Sequence, residues 1–247
     1  MKKTLLLCGL SIAFFCLNAQ NTEGVIQYEE TMNLHKMLPD SMLKQMRGMI
    51  PETRSTQMEL YFKDDISLYK PSEDDEPQQG GGGGMTFRMG GAMGETYKNL
   101  ATEQLVEQKE MFGKKFLIED TLKVQRWKLG TDQMKILGYN CTKATMTDSV
   151  RMRGDSMTKR NITAWFTEDV PLAMGPGTYG SLPGLVLAVD VNNGQQTTVA
   201  KKVEFKKVKE EDIKIPSKGD KMTRKEFDEK LREMMKKQRG TRIIRQG

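Results

Sequence analysis

The spacing of apolar and polar residues changes period several times along the chain, and each change marks an element. Ile26, Tyr28, Met32 and Leu34 alternate with Gln27, Glu29, Thr31 and Asn33, which predicts a strand with one buried face. After Pro39 the spacing becomes helical. Met42, Leu43, Met46, Met49 and Ile50 fall on one side of a short amphipathic helix or lid-like segment, and Asp40 or Ser41 can cap it. Alternation returns at Met58, Leu60 and Phe62, breaks at Asp64-Asp65 and resumes at Ile66 and Leu68, as in a strand pair.

Further on, strand-like runs come at short spacing: 97–100, 104–111, 116–118, 126–129 with Trp127 at its centre, 134–137, 139–146, 161–167, 185–191 and 197–208. Turn signals part them at Gly113, Gly130-Thr131-Asp132, Gly138, Arg153-Gly154-Asp155 and Asn192-Asn193-Gly194. Asn193-Gly194 between two such runs is a strong hairpin cue. Near the end the period is helical again. Thr223 and Glu226 have capping-box spacing, and Phe227, Leu231, Met234 and Met235 line one face. Lys236, Lys237 and Arg239 sit where the helix dipole favours cations, and Gly240 is expected to stop the helix. Together these patterns predict a mainly β (α+β) fold: a curved or partly closed antiparallel sheet, a short N-terminal helix and a C-terminal helix.

Composition adds boundaries. Lys2 and Lys3, an apolar run over 5–15 and the small Ala19 read as a secretory signal peptide over residues 1–19, with Gln20 as the new N-terminus. The run is well short of the roughly 20 apolar residues that span a bilayer. Cys16 suggests a lipoprotein signal, but Phe15 stands where such a signal has a small residue. Residues 20–215 form the expected β domain. Within it the stretch 71–94 is acidic, then nearly pure glycine, then Gly/Met, and is expected to be a mobile loop. Residues 216–247 form a basic C-terminal helix and tail. Cleavage of the leader removes Cys8 and Cys16, so Cys141 alone remains; a disulfide within the mature chain, a CxxC pair and a thiolate metal cage are excluded. Cys141 lies in a strand-like run and reads as a small buried hydrophobe.

The chain carries a formal charge of +6, or about +4 without the two leader lysines, and the excess lies mainly in 201–245. That basic stretch lacks interleaved aromatics and is read as a solvated tail, with no nucleic-acid site.

One string stands apart: Gly180-Ser181-Leu182-Pro183-Gly184-Leu185-Val186-Leu187. Ala164-Trp165-Phe166-Thr167, Val170-Pro171 and Gly175-Pro176 precede it. Lys115-Phe116-Leu117-Ile118-Glu119-Asp120, Trp127-Lys128-Leu129 and 136–144 lie upstream. In this order and spacing they resemble the GLPGLI family of exported Bacteroidetes proteins, over about residues 97–205. Val186 replaces the final isoleucine of the namesake motif, and a serine is inserted before it. The resemblance implies a shape similar to lipoprotein-carrier half-barrels, in which a curved sheet wraps a cavity closed by helices. It brings no catalytic residues.

The residues of the motif have their own reading. Pro183 fixes its backbone, Gly184 permits a positive φ, and the pair aims Leu185 and Leu187 to one face with Val186 and Ala188 on the other. One reading is a core-entry turn. The other is the lip of an apolar cavity formed by Trp127, Trp165, Phe166, Tyr179, Leu182, Pro183, Gly184 and Leu185. Catalysis is not expected. His35, the one histidine, lies in an ordinary strand run with no partner that spacing identifies, and no phosphate loop, nucleophile elbow or zinc signature occurs. Methionine is unusually frequent, with 19 residues. Met85, Met89 and Met93, four apart among glycines, offer soft thioethers for Cu(I), whereas Met42, Met46 and Met49 share a helical face that reads as core. The expected function is therefore an exported, non-enzymatic protein of the periplasm or outer membrane, without a cofactor, that binds an apolar ligand or a cell-envelope partner. A Met-rich copper-handling protein is the alternative.

Overall fold

In a computed structural model, which describes residues 22–46, 48–73, 94–111, 113–151 and 157–244, the alternating runs become strands of one open, curved sheet. β1 (Glu23–Asn33) is followed by the short helices α1 (Leu34–Met37) and α2 (Asp40–Met46). β2 (Thr53–Lys63), β3 (Ile66–Pro71), β4 (Gly94–Asn99), β5 (Gln104–Met111) and β6 (Lys114–Thr121) form one meander. β7 (Lys128–Ile136), β8 (Tyr139–Arg151), β9 (Met157–Thr167), β10 (Leu185–Val191) and β11 (Gln196–Phe205) form another. β12 (Asp220–Thr223) and α3 (Arg224–Ile244) follow. The order across the sheet is β12-β6-β5-β4-β3-β2-β1-β11-β10-β9-β8-β7, so β1 is the seam that joins the two meanders. The mainly β class and the two terminal helical regions agree with the apolar periodicity. The leader 1–19, the loop residues 74–93 with Met85, Met89 and Met93, and the Arg153-Gly154-Asp155 turn lie outside the described residues.

Several local expectations are corrected. Trp127 precedes β7 and is not inside a strand. Gly130-Thr131-Asp132 is no turn: β7 runs through it as a bulge, with Leu129 opposite Ala144 but Gln133 opposite Thr142. His35 sits in α1, because the Asn33 side chain accepts from Lys36 N at 2.9 Å and caps a helical turn where the alternation suggests more strand. Met49 lies beyond α2 and is 79% exposed, so it is not core. β12 pairs parallel to β6, so the sheet is not wholly antiparallel. α3 continues past Gly240 to Ile244; a glycine within a helix costs only about 1 kcal/mol against alanine and does not by itself end one.

The core occupies both faces and a fork. β10 pairs with β11 only over Ala188–Val191, while Ala200 to Phe205 of β11 pair with β1 alone. Leu185 and Val186 bond instead to the connecting segment 168–184: Leu185 N donates to Val170 O at 3.0 Å and Val186 N to Met174 O at 2.9 Å. Into this fork pack Ile26, Tyr28, Leu60, Phe62, Val170, Met174, Leu185 and Leu187, all buried, together with the buried Cys141. Burial pushes the Cys141 thiol up to about 11. Elsewhere, α3 seals the β5–β6 end. Thr223 N donates to Glu226 Oε2 at 2.7 Å as the capping box expects, and the Phe227 ring meets Phe116 edge-on at 5.5 Å. Arg224 engages the buried Glu107 carboxylate, which Lys109 also pairs at 2.7 Å.

Candidate functional site

The segment 168–184, between β9 and β10, carries the Gly-Ser-Leu-Pro-Gly-Leu string and is held by side chains distant in sequence. Tyr28 Oη donates to Val186 O at 2.7 Å, across the fork. Lys98 Nζ donates to Gly175 O and to Tyr179 O, both at 3.0 Å. Trp127 Nε1 donates to Gly180 O at 2.8 Å, and Gly180 N returns a bond to Gln125 Oε1 at 3.0 Å. Three side chains, from β4 and the β6–β7 connection, thus fix one irregular stretch of backbone, and Tyr28 of β1 fixes β10 just beyond it. An irregular segment against a sheet leaves carbonyls without ladder partners, and these donors satisfy them.

Lys98 is the unusual member. It is 2% exposed, and its pKa is pulled down to about 7 by burial, with no carboxylate paired to it among the described residues. The two carbonyls accept two protons. An ammonium has three donors, whereas a neutral amine has two, so the neutral form matches the acceptors found among the described residues. Ser67, opposite Lys98 on β3, is buried with its Oγ unpartnered among the described residues. The Tyr28 hydroxyl is raised strongly by burial, and Glu30 is raised by burial despite accepting from Tyr69 and Gln196.

Gly184 of the string and Gly175 before it serve close approach. Gly184 has no positive φ; a Cβ there would lie 2.0 Å from Thr167 O. The left-handed residue is Ser181, at φ 59°. Gly175 is constrained in the same way, because a Cβ would lie 2.6 Å from the Val186 Cβ. A bulge at Leu187 also alters the facing of β10. Leu185 and Leu187 share the fork cluster as expected, but Val189 and Val191 join Val186 in place of Ala188.

The eight candidate lining residues divide. Phe166 and Leu182 are buried together with Ala164 and Val186, and half-buried Trp127 and Tyr179 pack against them. Trp165 packs on the fork cluster with Leu185, because neighbours on a strand point to opposite faces. Gly184 is buried between them and Pro183 is exposed. Lys98 and Gln125 are anchors of the segment that the alternation does not single out. The available signal is a lysine inside the strand-like run 97–100, which reads as polar surface until the segment 168–184 is laid over it. Two open depressions of about 500 and 490 Å³ lie away from this region. One is lined by Asn33, His35, Asp40 and Glu52, the other by Asp64, Ile66, Glu210, Ile213 and Ile215. His35 Nε2 lies 3.4 Å from Ile50 O. No helix among the described residues is long and apolar enough to cross a membrane.

A family model described as "N-glycanase peptide, N-terminal domain" matches residues 95–228, which is 134 of the 247 residues and includes the whole pinned segment. Two solved structures of PNGF-II, in space groups P21 and C2, are similar in fold, each with a TM-score of 0.53 and 16% sequence identity. Each match covers 84% of this chain and 32% of the other, so the chain spans about a third of those structures. No curated protein matches.

Proposed function

Since the chain belongs to the family of N-glycanase peptide N-terminal domains, we propose that it is an exported, non-catalytic binding module of the periplasm or outer membrane. In this reading it holds an apolar ligand or a cell-envelope protein at the Trp127–Tyr179 side of the segment 168–184. The observation that carries the proposal is the fixing of that segment by Lys98, Gln125 and Trp127. Recognition gains from backbone that is ordered before the partner arrives, since the ordering entropy is then not lost on binding. The half-buried rings of Trp127 and Tyr179 offer large contact area, with the Trp127 ring held in place by its bond to Gly180 O. The resemblance of Gly180 to Leu187 to the GLPGLI family is compatible with this role and concerns the same segment.

Native mass spectrometry of protein taken from its own cell envelope tests the reading. A lipid or protein should co-purify with the wild type and be depleted in Trp127→Ala. An intact mass starting at Gln20 is expected from leader cleavage. Release of N-glycans from a denatured glycoprotein by the chain alone would contradict the non-catalytic role.

A further inference from the structure

The two ends of the sheet are finished differently. β12 is four residues long, runs parallel on β6 and is followed directly by α3, which packs there through Phe227. β7 is nine residues long and pairs with β8 alone; among the described residues no strand lies along its outer side. Every residue from Lys128 to Lys135 is exposed. Large apolar side chains stand among them, with Leu129 60% and Met134 43% exposed. An open edge offers a row of unpaired N–H and C=O groups, a template for one more strand.

The charges around β7 say which strand fits. Lys123, Arg126, Lys128 and Lys135 are exposed, and none makes an ion pair among the described residues. Asp132, the one carboxylate in 122–137, is paired with Lys143 at 2.8 Å. Lys128 stands opposite Thr145, and Lys135 opposite Asn140. Across the bulge these positions fall on opposite faces of the sheet, so each face carries a cation beside an apolar side chain. A second copy of β7 would bring a like-charged edge against this one, which is unfavourable. An acidic strand meets opposite charge on both faces. The bulge at 130–132 leaves Gln133–Ile136 as the regular stretch, so the added strand is short.

We propose that β7 is a docking strand that accepts a short, extended, acidic segment of a partner protein by strand addition. The lysines that oppose self-association select the partner. β7 begins directly after Trp127, but the inference rests on the strand edge and its charges and does not depend on the Trp127–Tyr179 reading.

The test uses the full chain and two synthetic peptides, one of alternating Glu and Val, the other of alternating Lys and Val. The Glu/Val peptide should bind saturably, slow amide exchange within 133–136 and weaken roughly tenfold when salt is raised to a few tenths molar, as screened surface charges require. Lys128→Glu with Lys135→Glu should abolish its binding. Lys128→Gln with Lys135→Gln should weaken it, and thermal melts confirm that both variants fold. Equal binding of both peptides, binding that survives charge reversal, or no saturable binding at millimolar peptide would each overturn the proposal.

Discussion

Lys98 makes the sharpest claim at the scale of one residue. Its folded pKa is about 7, against roughly 10.4 in an unfolded chain. Between these values the unfolded chain holds a proton that the folded chain lacks, so stability rises with pH from about 7 to 10 and is indifferent to this group below 7. Urea unfolding across that window should show the rise in wild type and a flatter curve in Lys98→Met. The same variant strands the carbonyls of Gly175 and Tyr179 and should lose about 2 kcal/mol at pH 7, the usual cost of unsatisfied buried acceptors. Gly184→Ala is a second test. Its Cβ would meet the Thr167 carbonyl at 2.0 Å, and neither partner is a flexible chain end. A loss of roughly 3 kcal/mol or more is expected by chemical denaturation; a near-neutral result would mean that the Pro183-Gly184 turn can shift.

At the scale of elements, α3 is held by a cap at its start, by Arg224 on the buried Glu107 and by the packing of Phe227, Leu231 and Met234 beside Phe116. Thr223→Ala should cost about 1 kcal/mol through the lost bonds of its hydroxyl, which accepts from Glu226 N at 3.3 Å and donates to Glu226 Oε2 at 2.9 Å. Phe227→Ala should cost about 3 kcal/mol, because it empties the buried space beside Phe116. Limited proteolysis should then cut within 224–234 before the sheet. Much of this level was legible in the sequence. Alternation located β1 and β2, strand-like runs between turn signals located β5 and β10, and Asn193-Gly194 located a hairpin whose residues 192–194 all take positive φ. The capping box located the start of α3. The bulges at 130–132 and Leu187 were not legible, because a bulge is decided by the partner strand and leaves only a glycine or an irregular apolar run behind. β12 was missed because four residues, Asp-Lys-Met-Thr, carry no apolar period of their own and depend on β6. The lining set was legible as a list of aromatic and apolar residues but not as an arrangement. The alternation that places Phe166 on one face places Trp165 on the other.

For the molecule as a whole, the seam at β1 sets the terms. β1 pairs with β2 nearby in sequence and with β11 some 170 residues later: Glu30 lies opposite both Thr56 and Thr198. A chain ending after Val191 would leave the inner edge of β1 bare and the fork without Ala200. Such a fragment should show no sharp cooperative transition in urea, whereas the intact chain should; a sharp transition in the fragment would mean that the two meanders fold apart. This seam also orders events in time. Contacts of such long sequence separation form late and slowly, so the first strand made cannot be locked until nearly the last one is available. During synthesis the half of the sheet that emerges first therefore waits for its closing strand, and the finished fold is reached only once nearly the whole chain is available.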